Sequence, residues 1–329
     1  MTIKDIAAFA KLSVTTVSKV INQHPDISTA TKKRVLKAID ELGYVPNLMA
    51  SNLRKKSANL VALLLSDMSK PYFANMINGF DKVLNESGYQ TLIFSSNEDA
   101  EREQKLIRQI SSIKIAGIIV DSAQNGEKNI ELLDTIGVPY IRVNRISNSE
   151  SGYYVAADNE LAGYLATEHL LQVKPDAPVL CVNGPDDISP TIARYVGYRR
   201  ALQEAGVNED EQWVFNNHYG LTDAYRTGLY IADHYKPPFS VFCSTDLIAL
   251  GLLRALSERG IKVPEEVSVI GVDDIDIAAY STPALSTISL PKELIGEKSA
   301  EMLIALINNE EIEIPRCLLA PELIIREST

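Results

Sequence analysis

Little in this 329-residue chain could build a disulfide framework, a metal site or a familiar hydrolytic centre. It holds three cysteines, four histidines and one tryptophan. Cys181, Cys243 and Cys317 are odd in number, far apart and each set in an apolar run. They read as reduced core residues in a cytoplasmic protein rather than as half of a stapled fold. His24, His169, His218 and His234 form no H-E-x-x-H pair and no cluster, so no metal is expected. No phosphate-cradling glycine loop follows the first apolar run, and neither G-x-S-x-G nor C-x-x-C occurs, which argues against an enzyme and leaves no cofactor to expect. No stretch approaches the roughly 18 consecutive apolar residues that cross a bilayer, and no apolar leader opens the sequence. A membrane partner is therefore not expected.

What is present is an uneven charge. The net charge is −11, yet residues 1–57 carry ten Lys/Arg against four Asp/Glu, a balance of +6. The remainder holds −17, so a basic head precedes an acidic body. That distribution suits a protein that meets nucleic acid at one end only. Within the head, Thr2 and Asp5 form a helix-capping signature, and Ile6, Ala7, Phe9 and Ala10 supply a buried stripe. A break at Lys11-Leu12 precedes Ser13, a good N-cap. In the next helix Val17, Val20 and Ile21 face inward, while Val14, Thr15, Ser18, Lys19 and Asn22 share the other side. This is the layout of a helix-turn-helix, whose second helix reads bases in the major groove. Thr15 and Lys19 suit base edges, and Val14 suits a thymine methyl. Thr16, Asn22, Ser28 and Thr31 suit phosphates; for Thr16 and Ser28, plain helix capping is an equal alternative. A third helix is expected from Ala30 to Leu42, capped by Ser28, buried through Val35, Leu36, Ile39 and Leu42, and stopped by Gly43.

Residues 47–54 are compatible with a helix but too short to hold one alone in water, which makes them a hinge candidate. From Leu60 onward, short apolar runs alternate with helical segments. Runs that are apolar throughout and separated by helices read as parallel strands covered on both faces. The expected class is α/β: a three-helix headpiece and hinge, then two doubly wound subdomains. The expected divisions are 1–45 for the headpiece, 46–57 for hinge and linker, 58–156 with 289–317 for the first subdomain, and 157–288 with 318–329 for the second.

The opening Ile-Lys-Asp-Ile-Ala, Thr-Val-Ser-Lys-Val-Ile-Asn and Ile39–Pro46 resemble the headpiece of the lactose/galactose repressor family. So do Asp158–Gly163, Ser244–Gly251, Val269–Asp274 and Thr282–Ile288 further on, so the resemblance spans essentially the whole chain. It implies a homodimeric, ligand-responsive transcription repressor acting on a near-palindromic operator, with a body like a periplasmic sugar-binding protein. It also implies that Leu53 wedges into the minor groove beside Asn47 and Ala50, kinking the operator. The implied effector cleft lies between the subdomains, at strand C-terminal ends. Tyr72, Phe73 and Asn144 would line it from the first, and Arg194, Tyr219, Thr245, Asp246 and Asp273 from the second. Aromatic rings with carboxylates, amides and Arg make the chemistry of a sugar or sugar phosphate site. A nucleobase or nucleoside is the alternative ligand, and a sugar-processing enzyme the alternative function. The sequence departs from the commonest family pattern at Pro190 and in the pair Arg142 and Arg145, which flank Asn144. By two-residue alternation Arg142 is expected on the Asn144 face. That charge suits either a phosphorylated ligand or an internal salt bridge.

Overall fold

A computed structural model describes residues 1–21, 24, 26–44, 59–122, 127–146, 152–208, 210–217 and 220–329. It divides into two compact units, residues 1–58 and 59–329. The expected contacts Asn22, Asn47, Ala50, Leu53 and Tyr219 lie outside the described residues.

The first unit is three helices, α1 (Ile3–Phe9), α2 (Val14–Ile21) and α3 (Thr29–Leu42). Local sequence sets their ends. The Thr2 amide and hydroxyl both donate to Asp5 Oδ2, at 2.7 and 3.1 Å. Ser13 Oγ accepts from the Thr16 amide, and Ser28 Oγ from the Thr31 amide. Gly43 closes α3 in the left-handed conformation. Arg34 of α3 reaches back to the carbonyls of Ala10 and Lys11, fixing the turn between α1 and α2. The core is Ile6, Ala7, Ala10, Val17, Val20, Val35 and Ala38. Two residues expected in it are outside: Phe9 is 51% exposed and Leu36 56%. Helical period fixes which residues share a stripe but not how wide the buried part is. Three short helices cover only a narrow one.

The second unit holds two six-stranded sheets. The first runs β1 (Leu60–Leu65), β2 (Gln90–Ser95), β3 (Gly117–Val120), β4 (Tyr140–Val143), β5 (Tyr154–Ala157) and β11 (Arg316–Leu319), in spatial order β11-β5-β4-β3-β1-β2. The second runs β6 (Val179–Asn183), β7 (Val214–Asn216), β8 (Phe239–Cys243), β9 (Val267–Asp273), β10 (Ser286–Ser289) and β12 (Glu322–Ile324), ordered β12-β10-β9-β8-β6-β7. All pairings are parallel except β10 with β12. The helices between them are α4 (Tyr72–Glu86), α5 (Ala100–Ser111), α6 (Glu127–Ile136), α7 (Asn159–Val173), α8 (Ser189–Glu204), α9 (Leu221–His234), α10 (Asp246–Glu258) and α11 (Lys292–Ile307). Strands such as β1, with all six residues buried, show why the apolar runs lack alternation.

The chain passes between the sheets three times: after β5, after β10 and between β11 and β12. Strand β11 spans 316–319, across the division expected at 317/318. One apolar core joins the two halves, from Val61 and Leu63 through Tyr198 and Phe242 to Ile288 and Leu303. Helices α7 and α8 pack in close contact. A methyl group at Gly163 would sit 1.9 Å from the Arg194 carbonyl oxygen, and one at Gly197 would sit 2.0 Å from that of Glu160. These two glycines therefore set the height of α8, and with it the position of Arg194.

Candidate functional site

In the headpiece, the exposed side of α2 carries Val14, Thr15 and Lys19, with Ser18 half-buried beside them. Thr16, Ser28 and Thr31 are engaged in caps, their hydroxyls paired as Ser13 with Thr16 at 2.8 Å and Ser28 with Thr31 at 2.9 Å. Val17 and Val20 bury the opposite side of the helix.

In the second unit a cavity of about 610 Å³, part of it open to solvent, lies where strands from both sheets end. Placement at strand C-terminal ends follows from the parallel topology, which gathers its loops there. The first half contributes Lys70, Pro71, Tyr72, Phe73, Asn144 and Arg145; the second contributes Ile188, Pro190, Arg194, Thr245, Leu247, Asp273 and Ile275. Of the expected effector residues, Tyr72, Phe73, Asn144, Arg194, Thr245 and Asp273 thus come together. The Ile146 amide donates to Ser189 Oγ at 2.9 Å, linking the two halves beside this cavity.

Arg194 anchors the second half. The residue is buried, and its guanidinium donates Nε–H to Asn159 Oδ1 at 2.8 Å, Nη1–H to the Ser244 carbonyl, and Nη2–H to Asp273 Oδ1 at 3.3 Å. Asp273 ends β9 at φ 117°, and Asp274 follows at φ 50°. Non-glycine residues in that region cost free energy that surrounding contacts must offset. Here Lys292, itself buried, donates to the carbonyls of both Asp273 and Asp274. Burial pushes the Asp273 carboxyl above its ordinary range, against the charges of Arg194 and Lys292. Tyr72 carries the most telling atom. The residue is 8% exposed, and its hydroxyl is fully buried with no hydrogen-bond partner among the described residues. Burial raises its pKa, with Asp273 adding to the shift. Its ring meets Phe73 edge to face, centroids 5.4 Å apart.

Asn144 stands at φ 59° and donates from Nδ2 to Asp121 Oδ1 at 3.0 Å. Asp121 is buried, also accepts from Ser66 Oγ, and is raised in pKa chiefly by that burial. The turn at Asn144 ends the strand alternation, so Arg142 does not share its outlook. Arg142 is buried and absent from the cavity lining, and Arg145 brings the charge instead. Arg145 forms a two-pronged pair with Glu98, 2.7 Å on each prong, and Lys70 donates to the same carboxylate. Burial works to raise the Glu98 pKa, but hydrogen bonds and charge from Arg145 and Lys70 outweigh it and hold it low. Neither Lys70 nor Glu98 stood in any sequence motif. Their role depends on three loops, after β1, β2 and β4, that only the sheet brings together.

Asp246 is a correction. It was expected at the effector, but it is 0% exposed and does not line the cavity. One oxygen accepts from Thr287 Oγ1 and the other from the Ile275 amide at 2.9 Å. Both bonds tie α10 to segments beyond β9, and burial, then the nearby Asp273 charge, lift its pKa to about 8. The N-cap of α10 is Thr245, whose hydroxyl accepts from the Ile248 amide. Among the described residues no group of His, Cys, Asp and Glu could hold a metal ion, and no helix is long and apolar enough to cross a membrane.

Comparison with known proteins gives this geometry a context. Residues 2–47 match the bacterial regulatory proteins of the lacI family, and residues 167–329 match the periplasmic binding protein-like domain. The chain is 32% identical over 328 residues to the HTH-type transcriptional repressor PurR of Vibrio parahaemolyticus, covering 99% of this chain and 98% of that one. Among solved structures it is similar to the transcriptional regulator CelR in complex with cellobiose, at 30% identity, TM-score 0.77 and full coverage of both chains. The Lac repressor dimer bound to operator and the anti-inducer ONPF shares the fold at 21% identity, TM-score 0.88, covering 100% of this chain and 98% of that one. These relatives are DNA-binding regulators rather than enzymes. The chain belongs to the LacI family of bacterial transcription regulators, a helix-turn-helix headpiece joined to a ligand-binding body of two parallel-sheet subdomains.

Proposed function

We propose that this regulator represses from a near-palindromic operator as a cytoplasmic homodimer, and that an uncharged, sugar-type effector in the cavity between the two sheets alters its operator affinity. The observation that carries the effector site is the Tyr72 hydroxyl. A buried hydroxyl without a partner costs about 1–3 kcal/mol, and a ligand oxygen reaching it removes that cost. Around it stand the groups that bind hydroxyls: the Asp273 carboxylate, the Arg194 guanidinium and the Asn144 amide. CelR, similar over its full length, is bound to cellobiose. One helix-turn-helix reads one half-site, so a palindromic site calls for two copies. Val14, Thr15 and Lys19 would read base edges, with Thr16, Ser18, Asn22, Ser28, Thr31 and Asn47 on the backbone and Ala50 and Leu53 in the minor groove. The effector acts only through differential affinity for the DNA-competent and incompetent states.

A planar nucleobase is the second reading, favoured by the Tyr72–Phe73 aromatic pair on the cavity wall. One experiment separates them: thermal melting against a panel of neutral mono- and disaccharides, nucleobases and nucleosides, on wild type and Tyr72→Phe. A ligand at one hundred times its Kd stabilises by about 2.7 kcal/mol. The sugar reading expects a sugar to raise Tm in wild type, and a smaller rise in Tyr72→Phe despite an unweakened apo fold. A rise with nucleobases alone would replace it by the second reading. A rise of equal size in Tyr72→Phe would place the ligand elsewhere.

A further inference from the structure

Lys70 and Arg145 are the two cations that the first half turns toward the cavity, and both pair with one carboxylate that does not line it, Glu98. The geometry points to Glu98 as the specificity-determining residue of this cavity: its carboxylate fills the role of a ligand anion, so that the cavity takes uncharged molecules and refuses phosphorylated ones. This rests on the cavity being the effector site.

The place of Glu98 is built rather than incidental. Asn97 and Glu98 follow β2 in consecutive left-handed conformations, φ 54° and 59°. The Glu98 amide donates to the Ser66 carbonyl at 2.8 Å, and Asp99 then caps α5 through the Glu101 and Arg102 amides. Backbone on both sides is thus fixed, and the carboxylate is held under the two cations. Arg145 commits both terminal nitrogens to it, each at 2.7 Å, in the fork geometry that would otherwise recognise a phosphate. Asp121 Oδ1 lies 4.0 Å from Arg145 Nε.

Each cation that lines the cavity thus already faces a carboxylate. Arg194 faces Asp273 across the second half, while Arg145 and Lys70 face Glu98 and Asp121 in the first. An arriving phosphate would have to displace Glu98 from the fork and would leave a half-buried carboxylate beside a second anion. Hydroxyl groups make no such demand. Without the Glu98 charge, Lys70 and Arg145 lose the carboxylate they share and the rim becomes more positive, so anions should enter.

The test uses the full chain as wild type, E98Q and E98Q/R145Q, titrated calorimetrically with inorganic phosphate and with ribose 5-phosphate at two salt concentrations. The expected result is at least tenfold tighter phosphate binding by E98Q than by wild type, lost in the double variant and weakened by salt. Should E98Q be too unstable to titrate at 25 °C, its Tm in phosphate against chloride at matched ionic strength reads the same gain, compared with wild type. Phosphate affinity, or a phosphate-dependent Tm rise, within twofold of wild type would overturn the proposal. So would a gain that survives in E98Q/R145Q. The underlying effector reading fails differently: no neutral ligand would shift the wild-type Tm, whatever E98Q does with phosphate.

Discussion

Arg194→Lys separates what Arg194 does for the fold from what its charge does. Lysine keeps the positive charge and can still reach Asp273, but it lacks the fork that serves three acceptors at once. Two buried acceptors, Asn159 Oδ1 and the Ser244 carbonyl, then lose their donor. Each such loss costs about 1–3 kcal/mol, so the expected destabilisation is about 2–5 kcal/mol once some water enters. For a body of this size about 1 kcal/mol moves Tm by about 2 °C, which gives a fall of about 4–10 °C. Differential scanning calorimetry of the ligand-free protein measures it directly. Operator affinity without ligand should be unchanged below the transition, because the substitution lies in the second unit. A Tm within about 1 °C of wild type would show that the three-acceptor arrangement carries no stability.

Three further outcomes follow from named residues. Thr15→Ala and Lys19→Ala should each cost about 1–3 kcal/mol on the preferred operator and relax preference at particular base pairs in a binding selection, while Lys33→Ala weakens all sequences alike. Gly163→Ala should lower Tm by several degrees and weaken effector binding together, since its methyl would press on the Arg194 carbonyl 1.9 Å away. Asp246 bears on pH: its folded pKa, about 8, stands above that of the unfolded chain, so the folded state holds a proton that the unfolded state has released. Stability from this group therefore falls as pH rises from about 4 to about 8, and Asp246→Asn should melt with a flatter pH profile over that window.

The headpiece was legible because its signals are local. Caps at Thr2, Ser13 and Ser28 and the stop at Gly43 act within three or four residues of themselves. The parallel sheets were legible for a related reason, since strands buried on both faces need apolar residues throughout. Phe9 and Leu36 lie on the periodic stripe yet are exposed, because period gives direction and not the extent of burial. Arg142 departs from the expected face because alternation fails where Asn144 takes a positive φ. Asp246 reads the same in sequence whether it faces a cleft or a β-strand. Only Thr287 and Ile275, some 30 to 40 residues away, decide it. Glu98 could not have been found at all, because its partners Lys70 and Arg145 sit on separate loops.

Effector control, as proposed, means that occupancy of the cavity sets operator affinity. Its most direct test is fluorescence anisotropy of the full chain on an operator selected from randomised DNA, with and without a saturating ligand found by thermal melting, in wild type and Asp273→Asn. Effector control through the cavity requires ligand to shift the wild-type operator Kd at least tenfold, about 1.4 kcal/mol. It requires no shift in Asp273→Asn, whose ligand-free operator Kd stays at the wild-type value. An operator Kd that ligand leaves unchanged in wild type, or shifts equally in Asp273→Asn, would contradict it.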